Sequence, residues 1–353
     1  KLVCYNPVIL LRSVILPIRP EPAKVLILSN DDNTWTPADY EEIDLELARM
    51  MNGLIENGYQ VEVLTIMHSV VNELGRHPYY SPDEWLIFNW CEQYYDRPWT
   101  DTEITTELES LGYVFTGAGP QTMRTSMDKD LVRQLLSEAG VPLPEGRVYR
   151  DDHVEDWTIF PAMVKPSNQH SSQGISRSSL VESPDELRRQ VQWVLDEFKP
   201  AAALVEEFID GREVHVPLVG NRAIEVLPPV EIDYTLFNDM RDRIYTNEAK
   251  FDKLNAPYYL TKFLCPAPLE AGTQSRLEEA ARGAYQATGC RDYGRIDLRM
   301  KDGQPIVLDV NPNADLTFES DHAIAAKMLG LTYGQLAARI VKCALERWPK
   351  SKS

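Results

Sequence analysis

Between Gly294 and Asn311 the chain runs through two short segments that alternate apolar and polar residues on either side of Asp302-Gly303. On an extended strand, residues two apart share a face. Arg295, Asp297 and Arg299 therefore lie on one side of the first segment, and Ile296, Leu298 and Met300 on the other. In the second, Val307, Asp309 and Asn311 share a face, with Ile306, Leu308 and Val310 opposite. The pattern predicts an antiparallel hairpin with a core side and a polar side. A two-residue turn would pair Asp297 with Leu308 and send the polar sets apart. The polar groups converge only with a three-residue loop, Asp302–Gln304, or with a bulge.

Converged, that surface carries two carboxylates, an amide and a guanidinium. Oxygen ligands of this kind suit Mg²⁺, which usually takes a few carboxylates plus substrate phosphates. Asp309 and Asn311 would ligate side by side and Asp297 would complete the site, with Arg295 placed to neutralise a phosphate or an oxyanion. A solvated hairpin with ordinary surface charges is the alternative.

Two further clusters carry chemistry. The apolar run Phe160–Val164 delivers Lys165, and a loop rich in Ser, Gln and Gly follows to Ile175. Backbone N–H groups and hydroxyls in such a loop can cradle phosphates, with the lysine as a point charge; a flexible loop beside a snorkelling lysine reads equally well. Leu204 and Val205 lead into Glu206, and Glu213 opens the next strand after a turn at Asp210-Gly211. Their carboxylates can accept from an adenine amino group or ribose hydroxyls, or be plain surface charges.

Upstream, Lys24–Ser29, a helix from Pro37 to about Asn57 and Val61–Ile66 form a parallel βαβ start. Trp85–Phe88 and Tyr113–Phe115 read as further strands around a helix at Thr102–Leu111. Helices over Lys129–Ala139, Asp185–Phe198 and Ser275–Thr288, strands at Ala162–Lys165, Ala203–Glu206, Glu213–Val219 and Ala223–Val230, and helices from Ala323 onward fill the rest. The irregular stretch Asp233–Leu260 suits a functional loop. The expected organisation is an N-terminal α/β domain over 1–117 (1–23 an extension), a central subdomain over 118–206 and a C-terminal subdomain over 207–353 with the metal site.

The net charge of −18 disfavours wrapping nucleic acid or lying on an anionic membrane. Leu2–Leu16 is the nearest approach to a spanning helix, but Asn6, Pro7, Arg12 and Ser13 interrupt it; it reads as an arm or edge strand, with a targeting segment as the alternative. Five cysteines, far apart and without a CxxC pair, fit free thiols in a reducing cytoplasm. Gly117-Ala-Gly119 lacks the third glycine of a dinucleotide loop, and neither GxxxxGK[ST] nor GxSxG occurs. The six histidines show no metal spacing.

The three clusters, in this order, resemble the ATP-grasp ligases, specifically the D-alanine–D-alanine ligase-like branch, from about Phe88 to the C-terminus and more loosely back to Lys24. Met127-Asp-Lys129 resembles the opening with the family's first ATP lysine, Lys165 the second, and Ser171-Ser172 the Ser-Ser of the phosphate loop. Asn247-Glu-Ala-Lys250 resembles the Tyr-Glu-Ala-Lys of a mobile loop that closes over the phosphates. The resemblance implies an α/β (α+β ATP-grasp) architecture, a parallel N-terminal domain plus two subdomains with ATP between them. Glu206 and the backbone near Phe208 would hold adenine and Glu213 the ribose. Arg295, with Ser171 and Lys250 beside it, would carry catalysis, and Asp297, Asp309 and Asn311 would bind two Mg²⁺ or Mn²⁺ ions.

The implied reaction is ATP-dependent joining of a carboxylate to an amine through an acyl phosphate, on small-molecule substrates, by a cytoplasmic homodimer with no nucleic-acid or membrane partner. Asn313, Asp315 and Ser320 fall in the substrate region, Ser320 where D-alanine ligases hold the second substrate's carboxylate. An amino acid joined to another amino acid or small acid is the expected pairing. A non-catalytic ATP-binding regulator, or an ATP-grasp kinase or carboxylase, is the alternative.

Departures cluster at the substrate ends. Asp309 stands where the family usually has Glu, and Phe251 follows Lys250 where D-alanine ligases often have Tyr. Pro312-Asn-Ala-Asp-Leu316 replaces their Thr-x-Pro-Gly, and Ser29–Thr34 replaces a Gly-rich, Glu-bearing loop. The expected enzyme keeps the ATP end and takes other substrates.

Overall fold

Thr36 and Asp39 close a reciprocal capping box, with Pro37 at the first helical position, and so start α1 (Pro37–Glu56). In this computed structural model, which describes residues 24–169, 173–199, 202–246 and 260–348, α1 links β1 (Lys24–Asn30) to β2 (Gln60–Ile66). β1 lies between β2 and β3 (Trp85–Trp90), parallel to both. Its apolar run is buried on two sides, as parallel strands are. Val25 and Ile27 meet Met50 and Leu54 of α1. Leu26 and Leu28 meet Val70 and Leu74 of α2 (Val70–Arg76) and Ile104 and Leu108 of α3 (Asp101–Ser110). The expected strand at Tyr113–Phe115 is reduced to one parallel bridge between Ile87 and Phe115.

The short helices α4 (Pro120–Ser126) and α5 (Lys129–Glu138) lead into a second, antiparallel sheet. Its order is β4 (Gly146–Tyr149), β7 (Ala203–Glu207), β5 (Ala162–Pro166), β6 (Leu180–Val181). α6 (Pro184–Glu197) covers one face through Leu187, Val191 and Val194. β4 and β6 are too short to register as a period in the sequence.

The third sheet runs β11 (Lys262–Leu264), β10 (Val230–Asp233), β8 (Glu213–Val219), β12 (Tyr293–Lys301), β13 (Gln304–Asn311), with β9 (Glu225–Val226) on β8. The expected strand Ala223–Val230 is split into β9 and β10, because Pro228 and Pro229 cannot donate to a ladder. α7 (Ala271–Ala287) packs Leu277, Ala281 and Ala284 onto Ile296, Leu298, Val307 and Val310. α8 (Asp321–Met328) and α9 (Tyr333–Leu345) follow, and α9 shares one core with α1 of the first sheet.

The hairpin corrects one expectation and meets its alternative. Lys301 pairs with Gln304, so the turn is the two residues Asp302 and Gly303, both at positive φ (51° and 74°), as a tight hairpin requires. The register then shifts: Leu298 faces Val307, yet Asp297 faces Asp309. Leu308 is the extra residue of a bulge. Val307 consequently joins Val310 in the core and not the polar face read from the alternation.

Candidate active site

The bulge decides the polar surface. It sets Asp297 opposite Asp309 and Arg295 opposite Asn311. Arg295 holds Asp297 in a fork, Nε to Oδ1 at 2.6 Å and Nη2 to Oδ2 at 2.9 Å. Asn311 Nδ2 donates to Asp297 Oδ2 at 3.0 Å. Lys129 Nζ lies 3.7 Å from Asp309 Oδ1. Among the described residues no three His, Cys, Asp or Glu side chains converge into a closed metal cage. Two carboxylates and an amide are an open oxygen set, which fits Mg²⁺ because that ion keeps positions for phosphate and water.

Lys129 is the first residue of α5, capped by Asp128, and its amide donates to Ser167 O at 3.1 Å, tying the helix to the loop after β5. Lys165 reaches Glu206 Oε2 at 2.7 Å, and Arg133, one turn after Lys129, takes Oε1 at 2.6 Å. Both oxygens of the buried Glu206 are thus held by cations. Lys129, Arg133, Leu204, Glu206, Leu308 and Asp309 line one crevice between the second and third sheets, of only about 20 Å³. A bound small molecule needs roughly 300–1,000 Å³, so the crevice as it stands is closed by these ion pairs. Phe208 spends its N–H on Pro161 O, and its ring lies 4.7 Å from the Arg299 guanidinium.

Behind the hairpin is a buried charged layer. Glu213 accepts two N–H bonds from Arg299, 3.0 and 2.7 Å, and the Tyr234 hydroxyl donates to it at 3.2 Å. Burial pushes its carboxyl up, but Arg299 and then His215 outweigh it and hold it at about 2. His215 lies 2.8 Å from Asp321 and 3.5 Å from Glu213. Burial lowers its basicity, and Asp297 and Asp321 raise it further, to about 9. Asp321 also lies 3.4 Å from Arg295 Nη1.

At the substrate end, Asn313 accepts from Tyr293 Oη at 2.8 Å. Asp315 accepts from the N–H and hydroxyl of Thr317 at 2.8 and 2.9 Å. Ser320 Oγ caps α8 by accepting from Ala323 N at 3.3 Å. Glu92, after β3, meets the same region from the first sheet. Water reaches Glu92, but desolvation by the surrounding protein, then the like charges of Asp315 and Asp101, push its carboxyl up.

Ser171, Ser172, the Asn247–Lys250 motif, Phe251 and the extension 1–23 lie outside the described residues. Arg133, His215, Arg299 and Asp321 were missed or unassigned as site residues. Arg133 follows Lys129 at helical spacing and His215 follows Glu213 at strand spacing, signals that could have found both. Asp321 has no local pattern.

A family model described as "D-ala D-ala ligase C-terminus" matches residues 143–342, more than half of the chain. The chain belongs to the D-alanine–D-alanine ligase family. It shares 33% identity over 265 residues with the uncharacterized protein y4sG of Sinorhizobium fredii, covering 74% of this chain and 75% of that one. With a D-alanine–D-alanine ligase of Cupriavidus taiwanensis it shares 30%, over 69% and 72%. The ATP complex of the Bacillus anthracis D-alanine–D-alanine ligase superposes with a TM-score of 0.69 at 20% identity, covering 92% and 98%; that likeness speaks for the fold. As a family member the protein is an ATP-grasp ligase: an enzyme that uses ATP and Mg²⁺ to join a carboxylate to an amine. No helix among the described residues is long and apolar enough to cross a membrane.

Proposed function

We propose that this ligase activates a small carboxylic acid, or the carboxyl of an amino acid, as an acyl phosphate and couples it to the amine of an amino acid. The observation that carries the assignment of residues is the bulge-made pair Asp297–Asp309, with Asn311 and Arg295 in the same surface. Asp297, Asp309 and Asn311 would hold Mg²⁺, which when bound offsets the charge gathered on phosphoryl oxygens. Lys129 and Lys165, released from Asp309 and Glu206, would take over phosphate oxygens. Ser171, Ser172 and Lys250 would add further phosphate contacts. Glu206 and the backbone at Phe208 would then receive adenine and Glu213 the ribose.

Arg295 would present N–H groups to the oxyanion that forms when the amine attacks the acyl phosphate and that collapses to the amide as phosphate leaves. Asn313, Asp315 and Ser320 border the acceptor. Asp315 and Glu92 bring two carboxylates to this end, which favours an ammonium-bearing substrate. The four cysteines among the described residues are free thiols, which supports a reducing cytoplasm; we place the enzyme there as a homodimer.

The test is a phosphate-release screen of the purified protein with ATP, Mg²⁺ and pools of amino acids and small acids. Release that requires both an acid and an amine supports this function. ATP binding without any acid-dependent release would leave only a nucleotide-binding regulator.

A further inference from the structure

His215 stands on β8 directly across from Asp297 on β12, with 1% of its surface exposed. One imidazole here meets carboxylates from three elements. Nδ1 is 2.8 Å from Asp321 Oδ2 of α8, while Nε2 is 3.5 Å from Glu213 Oε1 and 3.8 Å from Asp297 Oδ1. Asp321 in turn lies 3.4 Å from Nη1 of Arg295.

The consequence lies in what Arg295 loses when the metal site is filled. Its fork grips both oxygens of Asp297. An oxygen that Asp297 shares with a metal keeps one lone pair for the fork, so its grip on the guanidinium weakens and a second anchor matters more. Among the described residues, the other carboxylate in ion-pair contact with Arg295 is Asp321, with Asp315 acting from farther off. A carboxylate at 3.4 Å is a weak guide unless it is itself fixed. His215 fixes it: Nδ1–H donates to Asp321 whether the imidazole is neutral in that tautomer or charged.

We infer that His215 is a positioning residue for Arg295, acting through Asp321 to keep the guanidinium aimed at the acyl-transfer site while Asp297 is engaged elsewhere. The inference rests on the ligase reading of Arg295 given above. It predicts a larger defect in amide formation than in nucleotide binding, because Lys129 and Lys165 pair with Asp309 and Glu206 and not with His215.

Three substitutions separate this role from simple charge balance beneath Glu213. His215→Asn keeps an N–H near Nδ1, His215→Gln moves it to the Nε2 side, and His215→Leu removes it. The acid–amine pair is whichever one the wild-type protein turns over in the screen, and MgATP binding is read separately by calorimetry. With His215→Leu and His215→Gln, kcat should fall at least tenfold, while the MgATP dissociation constant stays within about threefold. More ATP should be consumed per amide formed, since a misaimed arginine leaves the acyl phosphate to water. His215→Asn should recover at least a third of kcat. In ¹⁵N-histidine spectra of the free protein, a hydrogen-bonded Nδ1–H signal should be present and should vanish in Asp321→Ala.

Wild-type turnover in His215→Leu overturns the proposal. So does an equal loss in the Asn and Gln variants together with MgATP binding, which assigns His215 to the fold. If the Leu variant does not fold, the Asn–Gln contrast decides. A wild-type protein with no amine-dependent release removes the ligase reading, and this inference with it; failure confined to the variants removes this inference alone.

Discussion

Arg299 lies across from Glu213 in the β8–β12 ladder and closes Nε and Nη2 on one carboxylate oxygen, at 3.0 and 2.7 Å. Both side chains are buried, so removing one partner strands a charge. Arg299→Met should destabilise the fold by about 3–5 kcal/mol, and adding Glu213→Gln should restore much of it. Urea unfolding midpoints of the single and double variants check this; a single variant as stable as the wild type would refute the pairing.

The same pair sets a pH dependence. Glu213 is held at about 2, below the ordinary 4.5. A carboxyl depressed by folding adds stability above its unfolded value and loses it as pH falls. The contribution should be complete above about pH 4.5 and disappear progressively toward pH 2. Denaturation midpoints measured down that range should fall less steeply in Glu213→Gln than in the wild type.

Arg295→Ala should cost more than a hundredfold in kcat with ATP affinity largely kept, the loss of an oxyanion donor being worth about 2.7–4 kcal/mol. Arg295→Lys should rescue little. An ammonium cannot span both oxygens of Asp297 and reach Asp321 with a planar fork. Steady-state kinetics on a turnover-competent substrate pair decide it, and a lysine variant at near-normal rate would show that charge alone suffices.

Asp297→Asn and Asp309→Asn each remove one of two facing carboxylates. Each should raise the Mg²⁺ concentration for half-maximal ADP release at least tenfold and lower the maximal rate, without loss of the fold. Titrating Mg²⁺ at saturating ATP tests this. Unchanged Mg²⁺ dependence in both would remove the hairpin from the metal site.

How far the sequence reached follows from which signals are local. The alternation of Gly294–Asn311 is a period-two pattern, so the strands and their polar face were legible. The bulge at Leu308 carries no composition of its own. It was foreseen only because a tight Asp302-Gly303 turn and a converged Asp297–Asp309 pair could not both hold without it. Val307 was misassigned for that same reason. β4 and β6, four and two residues long, give too few positions to show a period. The contact between His215 and Asp321 spans 106 residues, and no local pattern records it. Arg133 was legible in principle, one turn beyond Lys129, but its partner Glu206 lies 73 residues away.

The joint between the first sheet and the C-terminal helices makes the last prediction. Gly53 of α1 and Gly334 of α9 meet so closely that a Cβ on Gly334 would lie 2.5 Å from Gly53 Cα and O. Alanine at a helical glycine normally gains about 1 kcal/mol in helix propensity. Here the obstacle is backbone, which cannot swing aside as a side chain can, and forcing two helices apart costs about 1–3 kcal/mol. Gly334→Ala should therefore lower the melting temperature by a few degrees. Gly75→Ala in α2, where an added Cβ meets nothing within 4 Å, should leave it unchanged or raise it. Both variants make the same Gly→Ala change within a helix, one against backbone and one into open space, so equal melting temperatures would mean that α1 and α9 are not packed through these glycines.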